Sequence, residues 1–362
     1  MGARKYTITI HISRKNSFHG VFTNVAYPGQ PLGTSGDTIQ FLTQKIKILA
    51  SRSAYAKDVV ILENRSNSLH SQIVKSLLIL YTENQKRVFV SGIEIQRGSS
   101  KGKLYRLDSK TQPVKEDFVL PDALPAAVKS IIYEETTNAK LLRVIMTHYY
   151  TALGSVSDRY YSFERLWRSF EQLSSWHSLH GTGKPNEFQA MSDIRAYICS
   201  HPALMTNSSN VAGALGSIDI KNSFSWYHYL NNEFPLTGTA DCFKRYKDYF
   251  VGNYTDFRIM RFHKEILPYR SARLATFGYL PDIQSHINKF LNAPDRCLKD
   301  EEIVAFLCCR YCYFLRNKIF HGEFADYTFR FYVRTNEDET VDLLNNILTG
   351  VVIDLLKVYD AL

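Results

Sequence analysis

Arg310-Tyr-Cys-Tyr-Phe-Leu-Arg316-Asn317-Lys-Ile-Phe320-His321-Gly322-Glu323 reads as the end of a long apolar helix. It carries Arg, Asn and His in its last turn and a half, with Gly322 where helices commonly stop. At about 100° per residue and with Arg316 as zero, Phe320 falls near ~40°, Asn317 near ~100° and His321 near ~140°, which makes one patch. On the far side Val304, Cys308, Tyr311, Leu315 and Ile319 fall between about 220° and 300°, the spacing of a stripe packed on its own domain. Phe306, Cys309, Tyr313 and Phe314 flank the polar patch. A face with such flanks is expected to be covered, and a second copy of the chain is the simplest cover.

Working outward, helical patterning dominates residues 126–362. Helices are predicted at Ala126–Tyr133, Ala139–Leu153, Tyr160–His177, Glu187–Ile198, Ala240–Phe250, Phe257–Leu267, Ser285–Leu291, Asp300–His321 and Glu339–Tyr359. In the third of these, Phe163, Leu166, Trp167, Phe170 and Leu173 recur at helix spacing and read as core. Met205–Glu233 shows no clear period. The stretch 108–127, with Pro113, Pro121 and Pro125 among charged and small residues, reads as a linker.

Ahead of it the pattern changes. Lys5–Ile12 alternates strictly, with Ile8, Ile10 and Ile12 on one face of a strand. A short strand at Val21–Tyr27, a helix at Thr38–Ser51, a strand at Asp58–Leu62, a helix at Ser68–Tyr81, and strands at Arg87–Ile95 and Leu104–Leu107 follow. That order predicts a small α/β domain with a partly parallel sheet. It holds neither GxGxxG nor GxxxxGK[ST], so no dinucleotide or Walker loop is claimed. The Gly33-Thr-Ser-Gly36 loop is a weak anion cradle.

Composition bounds the rest. With 362 residues, 45% hydrophobic and 13% aromatic, the chain can bury real cores and suits two domains. No run of eighteen apolar residues is present, and the N-terminus opens into the strand pattern instead of a signal-peptide hydrophobic region, so no membrane segment is expected. Cys199, Cys242, Cys297, Cys308, Cys309 and Cys312 form no disulfide framework, which points to a reducing cytoplasm. Cys309 and Cys312 make a lone CxxC inside an apolar helix and read as buried thiols, not as a zinc site. No cofactor is called for. The charge is unevenly divided: residues 1–125 hold 18 Lys and Arg against 9 Asp and Glu, which leaves 26 against 26 in residues 126–362. All of the net +9 therefore belongs to the first third, and a basic balance of this kind favours a polyanionic partner such as nucleic acid or nucleotide.

Arg followed by His five positions on is by itself uninformative, since Arg14/His19, Arg65/His70, Arg143/His148 and Arg258/His263 share the spacing. Arg316/His321 differs in its company: Asn317 after the Arg, Gly322 after the His, and a long helix and a bundle before them. In this form the stretch resembles the R-N-x-x-x-H motif of ribonucleases in the HEPN superfamily, and Tyr161–Leu173 resembles an early helix of its bacterial defence and abortive-infection branches. The likeness extends over roughly residues 126–362. The helices between Lys184 and Leu291 exceed a minimal bundle.

The fold class expected is thus mainly α: a C-terminal HEPN-like helical bundle (126–362) preceded by a small α/β domain (1–125) that senses a regulator or engages RNA. The resemblance implies a cytoplasmic, metal-independent endoribonuclease of a prokaryotic defence or toxin system. RNA is the implied substrate and Arg316, Asn317 and His321 the catalytic residues, in a composite site at a homodimer interface. His321 titrates in the range that acid–base work needs, Arg316 matches phosphate geometry, and Asn317 can fix the imidazole or touch the phosphate. A single His is poorly suited to be base and acid at once, and two-fold pairing supplies two. A nucleotide or protein regulator at the N-terminal domain fits the scheme. Rival readings are a catalytically silent HEPN-type module that binds a nucleotide or protein, and a basic RNA-binding adaptor. Arg143/His148 reads as structural. Glu164 and Glu171 read as surface partners of Arg168, with the further option that one of them orients Arg316.

Overall fold

The computed structural model describes residues 4–13, 15–182, 186–320 and 336–362. The chain is mainly α-helical and includes a six-stranded antiparallel sheet. It divides into two compact units, Met1–Gln172 with Leu356–Leu362, and Leu173–Leu355. The break expected between residues 125 and 126 falls inside the first.

In the first unit, β1 (Arg4–Ile12), β2 (Gly20–Val25), β3 (Asp37–Leu42), β4 (Lys45–Arg52), β5 (Val90–Arg97) and β6 (Lys103–Arg106) are ordered β2-β3-β4-β1-β5-β6. Every pairing is antiparallel, which corrects the partly parallel sheet expected from sequence. Two exchanges of element type account for this. Thr38–Ser51, expected as a helix, is the β3–β4 hairpin turned by Thr43 and Gln44. Its Ile39, Phe41, Ile46 and Ile48 are buried at period two, while Leu49 is 40% exposed. Asp58–Leu62, expected as a strand, lies instead in helix α1 (Asp58–Glu63). The β-branched run favours a strand, but Asp58 stands in the first helical turn and is held by Arg97 of β5 and Tyr105 of β6.

Ile8 and Ile10 of β1 face Ile46 and Ile48 of β4 across the ladder, all four fully buried. Helix α2 (Ser68–Asn84) packs against β4, starts on the side chain of Asn67, and ties to the sheet through Gln72, which donates to Asp37 at 2.8 Å. The stretch read as a linker is packed: Gln112 bonds both the N–H and the carbonyl of Val90, and Val114, Phe118, Leu120 and Leu124 are buried. Its prolines mark irregular backbone, which here still buries side chains. Helices α3 (Ala126–Ile131), α4 (Thr137–Leu153) and the first part of α5 (Arg159–Thr182) complete this unit. Phe163, Trp167 and Phe170 are core, as expected.

The second unit is helical. It contains α6 (Glu187–Ser200), α7 (Thr206–Gly213), α8 (Ser217–Asn222), α9 (Trp226–Glu233), α10 (Ala240–Asn253), α11 (Phe257–Ile266), α12 (Ser271–Thr276), α13 (Leu280–Leu291), α14 (Asp300–Phe306), α15 (Tyr313–Phe320) and most of α16 (Asn336–Lys357). Between α14 and α15 the helix runs on through a π-turn, Leu307–Cys312. Its core is aromatic: the Trp226 ring centroid lies 4.4 Å from Phe262, 5.0 Å from Tyr311 and 5.4 Å from Phe306. Asp256 caps α11 while Glu302 accepts from the Thr255 and Asp256 backbone, so the α11 and α14 termini are locked together.

Among the described residues no helix is long and apolar enough to cross a membrane.

Candidate functional site

Arg316 and Asn317 lie in the last part of α15, where Arg316 Nη1 donates to Asn317 Oδ1 at 2.9 Å. Four residues back, the Tyr313 hydroxyl interacts with Asn317; burial raises its pKa, and that hydrogen bond works the other way. Both Tyr313 and Arg316 reach Glu187, in the first turn of α6: Tyr313 Oη donates to Oε2 at 3.4 Å, and Arg316 Nη1 lies 3.5 Å from Oε1. Glu187 sits where a helix N-terminus favours a carboxylate, and Asn186 before it caps the helix through the Gln189 N–H. The cluster is therefore one carboxylate meeting a partly exposed guanidinium and a phenol, both of which also bond the Asn317 carboxamide. His321, the third expected catalytic residue, lies outside the described residues.

Of the expected packed stripe, Val304, Cys308, Tyr311 and Leu315 are at most 5% exposed, while Ile319, in the last turn, is half-buried. Three of the four flanking residues need no second copy to cover them, and Tyr313 is half-buried. Phe306, Cys309 and Phe314 are buried by the chain itself, Phe306 against Trp226, Tyr249, Tyr254 and Phe262. The π-turn is the local reason. Its wider winding shifts the phase of α14 relative to α15, so one constant angle per residue does not describe both.

Beside Asn317 opens a cleft of about 600 Å³, lined on α6 by Phe188, Met191, Ser192 and Arg195, on α10 by Arg245, Asp248, Tyr249 and Asn253, and on the π-turn helix by Cys309, Arg310, Tyr313 and Asn317. Glu233 and Phe234 close it at the end of α9. Cys309, Arg310, Tyr313 and Asn317 face the cleft together because they recur three to four residues apart. The Arg310 guanidinium lies 4.1 Å from the centroid of Tyr249 and 5.3 Å from that of Phe188.

The other sequence candidates serve the fold. Arg143 donates to the carbonyls of Ile132 and Glu134 and pairs with Glu135 at 3.2 Å, as a structural residue does. His148 is pushed down to about 4, by burial first and then by the charges of Arg165 and Arg168. Glu164 pairs with Arg168 at 2.8 Å, while Arg316 is met by Glu187, which was not anticipated. Cys309 and Cys312 are buried thiols. The Gly33–Gly36 loop does not present a free nest, since the Gly36 N–H donates to Asn24 Oδ1 at 2.6 Å.

Arg195, Arg245 and Arg310 in the cleft, and Glu187 beside Arg316, are the residues that the sequence did not single out. Only Arg310 left a signal, seven residues before Asn317 and so on the same helix face. Compared with protein-family models, curated proteins and solved structures, the chain returns no match.

Proposed function

We propose that the protein is a metal-independent endoribonuclease whose catalytic residues are Arg316, Asn317 and His321. The observation that carries the reading is the Arg316–Asn317 pair, held by Glu187 at the edge of a cleft lined by three arginines. A fixed guanidinium beside a carboxamide suits a phosphate and the charge that develops on it as the 2′-hydroxyl attacks. His321, four residues after Asn317 in sequence, supplies a group that titrates near neutrality for the proton transfers. One imidazole per site leaves the second proton transfer unassigned. A homodimer that brings two copies of the motif to one phosphate assigns it, and this chemical need is the argument for pairing. A cytoplasmic effector in prokaryotic defence, regulated through the basic N-terminal region, agrees with the resemblance of the motif and with the charge division.

Arg316→Ala and His321→Ala are each expected to lower cleavage of generic single-stranded RNA in EDTA by at least about 100-fold, the usual scale of a lost acid–base or charge-stabilising group. Cleavage that survives either change, or that needs Mg²⁺, removes the assignment.

A further inference from the structure

Arginines that serve the fold of the second unit are saturated. Arg270 donates to the Phe234 and Tyr269 carbonyls and to Asn231 Oδ1, and Arg258 pairs with Asp256 and Asp300. Arg195, Arg245 and Arg310 are different. They come from three separate elements, converge on one cleft, and have no hydrogen bond or ion pair to a described residue. Of the two carboxylates on the cleft wall, Asp248 is neutralised by Lys244 at 2.6 Å, while Glu233 has only the uncharged Asn232 as donor, at 3.0 Å, so three guanidiniums face one carboxylate that no cation pairs with. The cleft thus carries surplus positive charge.

Arg310 shows how that charge is presented. Its guanidinium carbon lies 4.1 Å from the Tyr249 ring centroid, and its N–H groups have no hydrogen-bond partner among the described residues. Glu233 acts on Arg310 only through space, with no ion pair between them, and desolvation opposes the charge, so an anion that bonds the guanidinium directly stabilises it further. Phe188, 58% exposed on the same wall, offers a face on which a base can stack.

We infer that the Arg195–Arg245–Arg310 cleft is a subsite for RNA, which takes a backbone phosphate neighbouring the scissile one and stacks a base on Phe188. Its placement beside the scissile phosphate rests on the nuclease reading of Arg316, Asn317 and His321. The cleft would then act in ground-state binding, with Arg316 acting in the chemical step.

The test uses the full chain and a single-stranded 2′-O-methyl RNA, which lacks the attacking hydroxyl and so reports binding alone. The Arg195→Gln/Arg245→Gln double variant alters side chains that are partly or fully exposed, so the fold is expected to survive. Arg310→Gln is the second variant, each checked by its thermal midpoint. Both are expected to raise Kd about tenfold. The slope of log affinity against log salt should fall by about 0.7 for each phosphate that is no longer neutralised. On cleavable RNA, KM should rise with kcat within about threefold of wild type. Kd and salt slope within twofold of wild type for the double variant overturn the subsite, whatever Arg310→Gln does. The two readings separate cleanly: weakened binding together with intact cleavage in Arg316→Ala keeps the subsite and refutes the catalytic assignment. Unchanged binding together with lost cleavage in Arg316→Ala does the reverse.

Discussion

At the scale of single residues, Glu187 and His263 make opposite uses of their surroundings. On the proposed nuclease reading Glu187 positions Arg316: their ion pair is partly exposed, and such pairs contribute only about 0–1 kcal/mol to stability. Glu187→Gln should therefore leave the thermal midpoint within a few degrees while lowering kcat severalfold and leaving KM nearly unchanged. A variant with wild-type kcat would show that Arg316 needs no such support. His263 is fully buried, stacked on Phe250 at 3.6 Å and hydrogen-bonded to Tyr246 at 2.7 Å, and burial pushes its pKa down to about 3. It stays neutral when folded but takes up a proton below about pH 6.5 when unfolded, so acid favours unfolding. Its contribution to stability is full above pH 6.5 and is lost as pH falls toward about 3, at up to about 1.4 kcal/mol per pH unit. Half-buried His148, pushed down to about 4, acts in the same direction. Urea midpoints measured from pH 7.5 to 5 should decline, and His263→Gln should flatten that decline. A wild-type profile that does not change over this range would contradict the burial of both imidazoles. That Arg316 and Asn317 form one patch was legible because neighbours on a helix are a local pattern. Glu187 was not, because it reaches Arg316 from 129 positions away in the chain, across a fold that periodicity does not specify.

At the scale of elements, strict periods were read well and ambiguous ones were not. The alternation of Lys5–Ile12 became β1, and the amphipathic stretch around Phe163–Leu173 lies in α5. In Thr38–Ser51, Phe41, Leu42, Ile46 and Leu49 happen also to satisfy a helical period, and the Thr43-Gln44 turn lacks the Asn-Gly or Gly signal that announces a hairpin. The hairpin makes adjacent residues unequal, which can be measured. Ile48→Ala should cost about 2–5 kcal/mol, because Ile48 is fully buried between β1 and β3. Leu49→Ala, on the outer face, should stay within about 0.5 kcal/mol. Equal losses would contradict the strand register. The π-turn at Leu307–Cys312 was hidden for a related reason: residue types carry little trace of an i→i+5 bond, so one angle per residue was applied across Asp300–His321. The error moved Phe306 and Cys309 toward a pairing surface, whereas both are packed inside their own unit.

At the scale of the whole molecule, hydrophobic periodicity predicted a mainly helical chain and an N-terminal share of strand, and both are present. The sheet direction was not legible, because antiparallel pairing depends on hairpins that were misread and on β1 lying between β4 and β5, a pairing distant in sequence. The concentration of all net charge in residues 1–125 places the excess of basic residues in the first unit, while the candidate cleft belongs to the second.

The most direct test of the central claim is the chemistry of the ends produced when the wild-type chain cuts RNA in EDTA. Attack by the substrate's own 2′-hydroxyl predicts a 5′-hydroxyl on one fragment and a 2′,3′-cyclic phosphate on the other, and a single 2′-deoxy substitution at the cut should block the reaction. A 5′-phosphate product, or cutting of the 2′-deoxy strand at the wild-type rate, would contradict it.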